Sequence, residues 1–260
     1  MKKALVIFMV LILIGAGLWL VWNKFQPSAA APVVQTLMSL QTRRAVDLTA
    51  DTDNKEAVAD KEEDALKNRA LVIVSRPIVV RAALTDSIKN QAVEKIKNAG
   101  EMIKKDYTFI EAWLDFGAYR KLIGDYDGAI EAWIFLTVIR PKDPVAFNNL
   151  GGIYAFYLKD FMKGEQNFLR AVSNDPTKVG AYMQLITIYQ ETKQLDKMEP
   201  LLLSGIKNNS ADPTLKILLA RFYVEQKRAG EALELYESAL KLDPNNKSLI
   251  EELNTFRVNQ

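Results

Sequence analysis

The sequence predicts an all-α chain built as a stack of helical hairpins, and three observations carry that prediction. First, four stretches repeat at a spacing of 34 or 35 residues: Trp113, Phe147, Tyr182 and Lys216 open them. Second, residue types recur at fixed offsets inside each stretch. Phe116, Leu150, Leu185 and Leu219 come three positions on, followed by Gly117, Gly151, Ile186 and Ala220; later Ala129, Gly164, Met198 and Ala232 precede Trp133, Phe168, Leu202 and Tyr236 by four. Third, units one, two and four close on Pro141, Pro176 and Pro244. A period in this range marks a stacked helical array. Such arrays hold partners more often than they make or break bonds.

The fourth unit shows the pattern most cleanly. Asp212-Pro213 is a helix start, a side-chain cap followed by a Pro where no amide donor is needed. Leu215, Leu218, Leu219, Phe222 and Tyr223 give a first helix its buried face. Residues 227–230 form a turn, and Ala232, Leu235, Tyr236, Ala239 and Leu240 give the second helix its face. Two helix axes approach to about 8 Å only where little side chain lies between them. Gly117, Gly151 and Ala220 on first helices, with Ala129, Ala171, Ala232 and Ala239 on second helices, allow that approach. One hairpin cannot bury its own apolar faces, so neighbours stack and the core becomes continuous. The third unit departs from the pattern. Ile186 and Met198 replace small residues, Gly205 replaces Ala and Ser210 replaces Pro. Pro200 is tolerable only in a first turn, so that helix is expected to start late or to pack more loosely.

These residues resemble the tetratricopeptide repeat (TPR). Unit one carries Trp113, Phe116, Gly117, Gly124, Tyr126, Ala129, Trp133 and Pro141. Unit two carries Phe147, Leu150, Gly151, Tyr154, Gly164, Phe168, Ala171 and Pro176, with one extra residue expected in the turn near residues 158–160. Unit four carries Leu219, Ala220, Tyr223, Ala232, Tyr236, Ala239 and Pro244. The resemblance covers roughly residues 108–244 and implies a right-handed helical solenoid of about four helix-turn-helix repeats at 110–143, 144–178, 179–212 and 213–246. It also implies that first helices line a concave face holding extended or helical peptide segments. The residues it places there are Glu111, Leu114, Ala118 and Lys121; Val145, Asn148, Gly152 and Ala155; Met183, Thr187 and Gln190; and Ile217, Arg221 and Val224. Only Asn148 and Arg221 hint at a carboxylate clamp, so capture of a C-terminal carboxylate is not expected. Tyr154, Tyr189 and Tyr223 recur at one position and read as core packing, not as platforms for bases.

Flanking segments frame the repeats. Residues 86–105 carry Ile88, Ala92, Ile96, Ala99 and Ile103 at three- or four-residue steps, one apolar stripe of a helix that docks on the first repeat. Residues 71–80 are β-branched and broken by Pro77, so they read either as extended or as a kinked helix. Residues 47–64 hold eight acidic residues against Lys55 and Lys61, the composition of a solvated segment or a marginal helix. Asp51 and Asp53 open like a calcium loop, but Lys55 stands at a ligand position and Glu56 where glycine must turn the chain. Ser248 to Glu251 reads as a capping box starting a C-terminal capping helix over 245–260 with a Leu249, Leu253 and Phe256 stripe; Thr108 to Glu111 is a similar start signal.

At the N-terminus, Met1-Lys2-Lys3 precede an uncharged run over residues 4–22. As a helix it spans roughly 28 Å, the thickness of a bilayer's hydrocarbon. Trp19 and Trp22 at its far end favour the headgroup boundary. The expected organisation is therefore a short cytoplasmic end (1–3), a single transmembrane anchor (4–22), an acidic, partly disordered linker (23–70), a pre-repeat segment (71–107), the repeats and the cap, with the repeats on the extracytoplasmic side. A cleaved signal peptide is the alternative, given Ser28-Ala29-Ala30-Ala31, and a buried core helix is a third.

Composition narrows the function. The 260 residues carry a net charge of +2, which gives no reason to expect nucleic acid. The chain has no Cys and no His, which removes thiol nucleophiles, imidazole bases and the usual zinc ligands. No cofactor, no metal and no catalytic constellation are expected. The expected function is a membrane-tethered scaffold or adaptor binding a protein or peptide in its groove, in assembly of a cell-envelope complex. The alternative is an envelope enzyme subunit or a glycan-binding protein.

Overall fold

The structure is a computed structural model that describes residues 55–258. Among them are eleven α-helices and no strand. The described residues form an all-helical solenoid of stacked helix pairs. The apolar run over residues 4–22 lies outside the described residues, and among those described no helix is long and apolar enough to cross a membrane.

The first helix, α1, is Lys55–Val74, and α2 is Asp86–Lys105. Residues 55–70, assigned above to the linker, are thus helical. Leu66, Ala70 and Ile73, at helical spacing, bury one face of α1 against α2 and the first repeat. The helix ends before Pro77, whose ring disfavours helical backbone in the residue ahead of it. Residues 77–84 then run without regular structure. Thr85 caps α2, its hydroxyl accepting from the Ile88 amide. Ala92, Ile96, Ala99 and Ile103 are buried, while Ile88 faces out.

Unit one is α3 (Ile110–Leu122) and α4 (Tyr126–Ile139). Unit two is α5 (Pro144–Gly152), a π-helical turn (Ile153–Tyr157) and α6 (Phe161–Asn174). Unit three is α7 (Val179–Glu191), a short 3₁₀ turn (Leu195–Lys197) and α8 (Met198–Asn208). Unit four is α9 (Thr214–Glu225) and α10 (Ala229–Leu242), and α11 (Lys247–Val258) follows. Each helix packs on its sequence neighbours, the order expected of a solenoid.

Small residues sit where helices touch. A β-carbon on Gly151 would lie 2.8 Å from the Phe168 ring, and one on Gly117 would overlap the Trp133 indole. Gly164 gives Ala155 its space, and Gly205 admits Leu215 and Tyr182 from flanking helices. Unit three is therefore not loosely packed: Met198, Leu202 and Gly205 are all buried. Its second helix does start late. The 3₁₀ turn takes up the positions where other units are already α-helical, which leaves Pro200 in the first turn.

Every hairpin turn passes through one residue in the left-handed region. It is Gly124 in unit one, then Lys159, Lys193 and Lys227 with φ of 57°, 57° and 59°. These four residues fix the true register of the units. The extra residue of unit two is not in the turn, as the sequence pattern implied. It is absorbed earlier, in the π turn over Ile153–Tyr157, a common way to fit an insertion into a helix.

Two start signals are used differently from the expectation. Asn246, not Ser248, caps α11 by accepting from the Leu249 amide at 3.0 Å. Asp106 accepts from both the amide and the hydroxyl of Thr108, so Thr108 is not the cap of α3.

The segment after α1 is bolted to unit one. Fully buried Arg120 donates to the carbonyls of Arg76 (2.7 Å) and Pro77 (3.1 Å) and pairs with Asp125. Arg76 reaches Glu131 at 2.8 Å, and the Arg81 and Ala82 amides both donate to the Ile123 carbonyl. Burial pushes the Glu131 carboxyl above its ordinary range even with Arg76 beside it. A buried pair of this kind fixes geometry more reliably than it adds stability.

Candidate functional site

The predicted groove positions all lie on first helices. Glu111, Ala118, Val145, Met183, Thr187, Gln190, Arg221 and Val224 are exposed; Leu114, Lys121, Asn148, Gly152 and Ile217 are half-buried. Ala155 is the exception, being fully buried against Gly164. The π turn explains this. Counting back from the left-handed turn residues, Ala155 holds the register of Arg120, Tyr189 and Tyr223, which is a core position. Phe156 then takes the register of Lys121, Gln190 and Val224. The three tyrosines read as equivalent are accordingly split. Tyr189 and Tyr223 are buried, while Tyr154 is half-buried, with its phenol pushed up to about 12 by burial and by Asp160 and Asp127.

Two clefts take in four of these positions, Ala118 and Lys121 in one and Arg221 and Val224 in the other; the rest line neither. One, of about 590 Å³, lies between units one and two and is lined by Asp115, Ala118, Tyr119, Lys121, Leu122, Tyr126 and Tyr157. The Lys121 ammonium sits 5.5 Å from the Tyr157 ring centroid and 6.0 Å from that of Trp133. Tyr126 and Tyr157 meet edge to face at 5.2 Å. Tyr157 is 50% exposed, and Leu122 and Leu158 beside it are also open. Tyr126 and Tyr157 were not named as site residues from the sequence. Units one and two are 34 residues apart at Trp113 and Phe147 but 35 apart at Trp133 and Phe168, and that mismatch was the available signal, because it displaces the end of the first helix of unit two.

The other cleft, of about 830 Å³, lies at unit four and is lined by Arg221, Val224, Glu225, Lys227, Ala229, Tyr236, Glu252, Thr255 and Phe256. Arg221 does not stand free there. It forms a two-point pair with Glu252 of α11, whose carboxylate also accepts from the Tyr236 hydroxyl at 2.8 Å. The guanidinium holds the Glu252 carboxyl below its ordinary range, with Tyr236 adding to the effect. A clamp for a foreign carboxylate is thus already filled by the chain itself.

Between units, a Tyr–Glu–cation arrangement occurs twice. Tyr189 donates to Glu165 at 3.0 Å, and Lys197 meets both the Glu165 carboxylate and the Tyr189 ring. Tyr223 donates to Glu199 at 2.7 Å, with Arg228 across both. These carboxylates are tied up in joining units. No group of three or more acidic side chains able to hold a metal ion occurs among the described residues.

Residues 214–246 match the family model of the tetratricopeptide repeat. The fourth unit is such a repeat. No curated protein matches the chain by sequence. Among solved structures, the chain is similar to MamA, with 18% identity, a TM-score of 0.49, and 64% of this chain and 99% of that one covered. It is similar to YrrB, described as a TPR protein with an unusual peptide-binding site, at 15% identity and a TM-score of 0.46 over 78% of this chain and 98% of that one. It is also similar to PilW, described as a type IV pilus biogenesis factor, at 17% identity and a TM-score of 0.46 over 68% and 88%. The stack described above stands on the chain's own geometry.

Proposed function

We propose that the chain is a membrane-tethered scaffold that holds a protein or peptide partner along the first helices of its repeats, in assembly of a cell-envelope complex. The observation supporting this reading is the exposure of Val145, Met183 and Val224 on successive first helices, flanked by the neutral polar Asn148, Thr187 and Gln190. Apolar side chains left open along one face mark an interaction surface. The apolar run over residues 4–22 supplies the tether, with the repeats on the extracytoplasmic side. Tethering raises the effective concentration of the groove near membrane-bound partners.

The test uses the full chain in detergent, with a photo-crosslinking residue at Met183 or, as a control, at Leu203 on a second helix. The Met183 probe should capture a discrete protein that the Leu203 probe does not. Val145→Asp, Met183→Asp and Val224→Asp should each weaken capture about tenfold with helical circular dichroism unchanged. Equal capture from both probes would reject the groove. For the tether, the full chain should stay with membranes in alkaline carbonate, and a variant lacking residues 1–22 should be released.

A further inference from the structure

We infer that the cleft between units one and two is an intramolecular docking site for residues 33–44 of the same chain. The inference rests on the reading of that face as a groove and names its resident occupant.

The cleft offers apolar surface from Ala118, Leu122, Tyr126 and Tyr157 beside charged Asp115 and Lys121. Glu111 stands one helical turn before Asp115, and both carboxylates are exposed with no ion-pair partner among the described residues. The opening therefore carries an acidic rim on an aromatic floor. The matching chemistry lies upstream in the chain. Val33, Val34, Leu37, Met38 and Leu40 are apolar, with 33 and 37, and 34 and 38, four apart, and Arg43-Arg44 follow directly. It is an apolar segment ending in two cations, and no acidic residue occurs from residue 23 to residue 46.

Reach permits the contact. Leu66, Ala70 and Ile73 fix α1 to the first repeat, so Lys55 lies at most about 16 Å beyond the fixed part of the helix. From Arg44 to Lys55 an extended chain covers up to about 35 Å. Crossing two helix layers takes about 20 Å. A tether this short gives a millimolar effective concentration, enough for a weak contact to be populated. The two arginines find Glu111 and Asp115 at the rim, and an arginine also stacks well on the Tyr157 face.

The chain has no Cys, so introduced cysteines report cleanly. In the full chain, Met38→Cys with Ala118→Cys should form an intrachain disulfide at least about tenfold faster than Met38→Cys with Leu203→Cys. Adding Arg43→Glu and Arg44→Glu should slow it several-fold. A single Ala118→Cys should react slowly with a maleimide, and faster once Leu37→Asp and Met38→Asp are added. Equal disulfide rates at the two sites, an interchain product, or maleimide reactivity unaffected by the Leu37 and Met38 changes would each overturn the docking. None of those results touches partner capture through Met183, so this inference and the proposed function fail separately.

Discussion

Arg221 on α9 donates to Glu252 on α11 through two parallel hydrogen bonds, 2.7 Å and 2.6 Å long. The geometry is the favoured fork of guanidinium and carboxylate. Arg221 is about half exposed, so solvent screens the pair and its stabilisation is on the order of 1 kcal/mol at most. The larger effect is positional. Beyond the buried Leu249 and Leu253 and the partly buried Phe256, this pair, the Tyr236 hydroxyl bond to the same carboxylate and the Arg257–Glu237 pair orient α11. Glu252→Ala should lower the melting temperature by only a few degrees, yet raise amide exchange across α11 while leaving α4 unchanged. Exchange rising equally in both helices would show that the pair supports the whole stack.

The left-handed turn residues give a second prediction. Lysine at φ near 57° carries a steric penalty that glycine avoids. Lys159→Gly, Lys193→Gly and Lys227→Gly should each stabilise by about 0.5 kcal/mol, the relief of strain being offset in part by the greater freedom of glycine when unfolded. The three turns lie in different units, so the gains should add. Gly124→Ala should do the reverse, by about 1–2 kcal/mol. Its β-carbon would also lie 2.9 Å from the Ala82 amide nitrogen and press on the segment tied to unit one. Chemical denaturation of the four variants checks the signs.

Much of this architecture was legible in the sequence, for a physical reason. The 34-residue period is imposed by packing, and packing needs particular sizes at particular places: Gly117 under Trp133, Gly151 under Phe168, Ala220 and Ala239 fully buried. Size is written in residue type. The helical stripe of α2 and the late start forced by Pro200 follow from equally local rules. The register of unit two was not legible, because a one-residue insertion looks the same in the sequence whether a turn or a π turn absorbs it. That ambiguity misplaced Ala155 and hid Tyr157. The partner of Arg221 was hidden too, since residues 31 apart reveal nothing of their pairing until α11 is laid against α9. The same holds for Arg120, whose carbonyl partners lie 43 and 44 residues away.

Acid should open the two ends of the stack in a definite order. Glu199 and Glu252 are held below the ordinary glutamate range, first by Arg228 and Arg221 and then by Tyr223 and Tyr236. A depressed carboxyl adds stability above its unfolded value, about 4.3, and that stability is lost as pH falls through the folded value. Glu131 has the opposite sign. Burial raises it, so its contribution is fully present below the unfolded value and is lost as pH rises through the folded one. As pH falls from neutral toward about 4.3, the Arg76–Glu131 region should therefore gain, and units three and four should loosen only below that, as the folded values of Glu199 and Glu252 are reached. Hydrogen exchange, corrected for its intrinsic pH dependence, should show α9 to α11 losing protection before α4. Earlier loss in α4 would contradict the assignment of signs.

The closest helix contact makes the sharpest test of the packing. A β-carbon at Gly117 would overlap the Trp133 indole, whose ring is 1% exposed and has no room to retreat. Nor is the indole N–H tied by a hydrogen bond that might direct a new rotamer. Gly117→Ala gains about 1 kcal/mol in helix propensity, but overpacking a filled core costs typically 1–3 kcal/mol and occasionally more. The net change should be destabilising by about 1–2 kcal/mol, with altered fluorescence from Trp133. Gly152→Ala is the matched control, because nothing lies within 4 Å of its β-carbon position. There the propensity gain should stand alone, and the variant should be more stable by up to about 1 kcal/mol. The two substitutions are chemically identical and both sit on first helices, so opposite signs can come only from what each methyl group meets. If Gly117→Ala stabilised as much as Gly152→Ala, the two helices of unit one would not be in close contact at that residue.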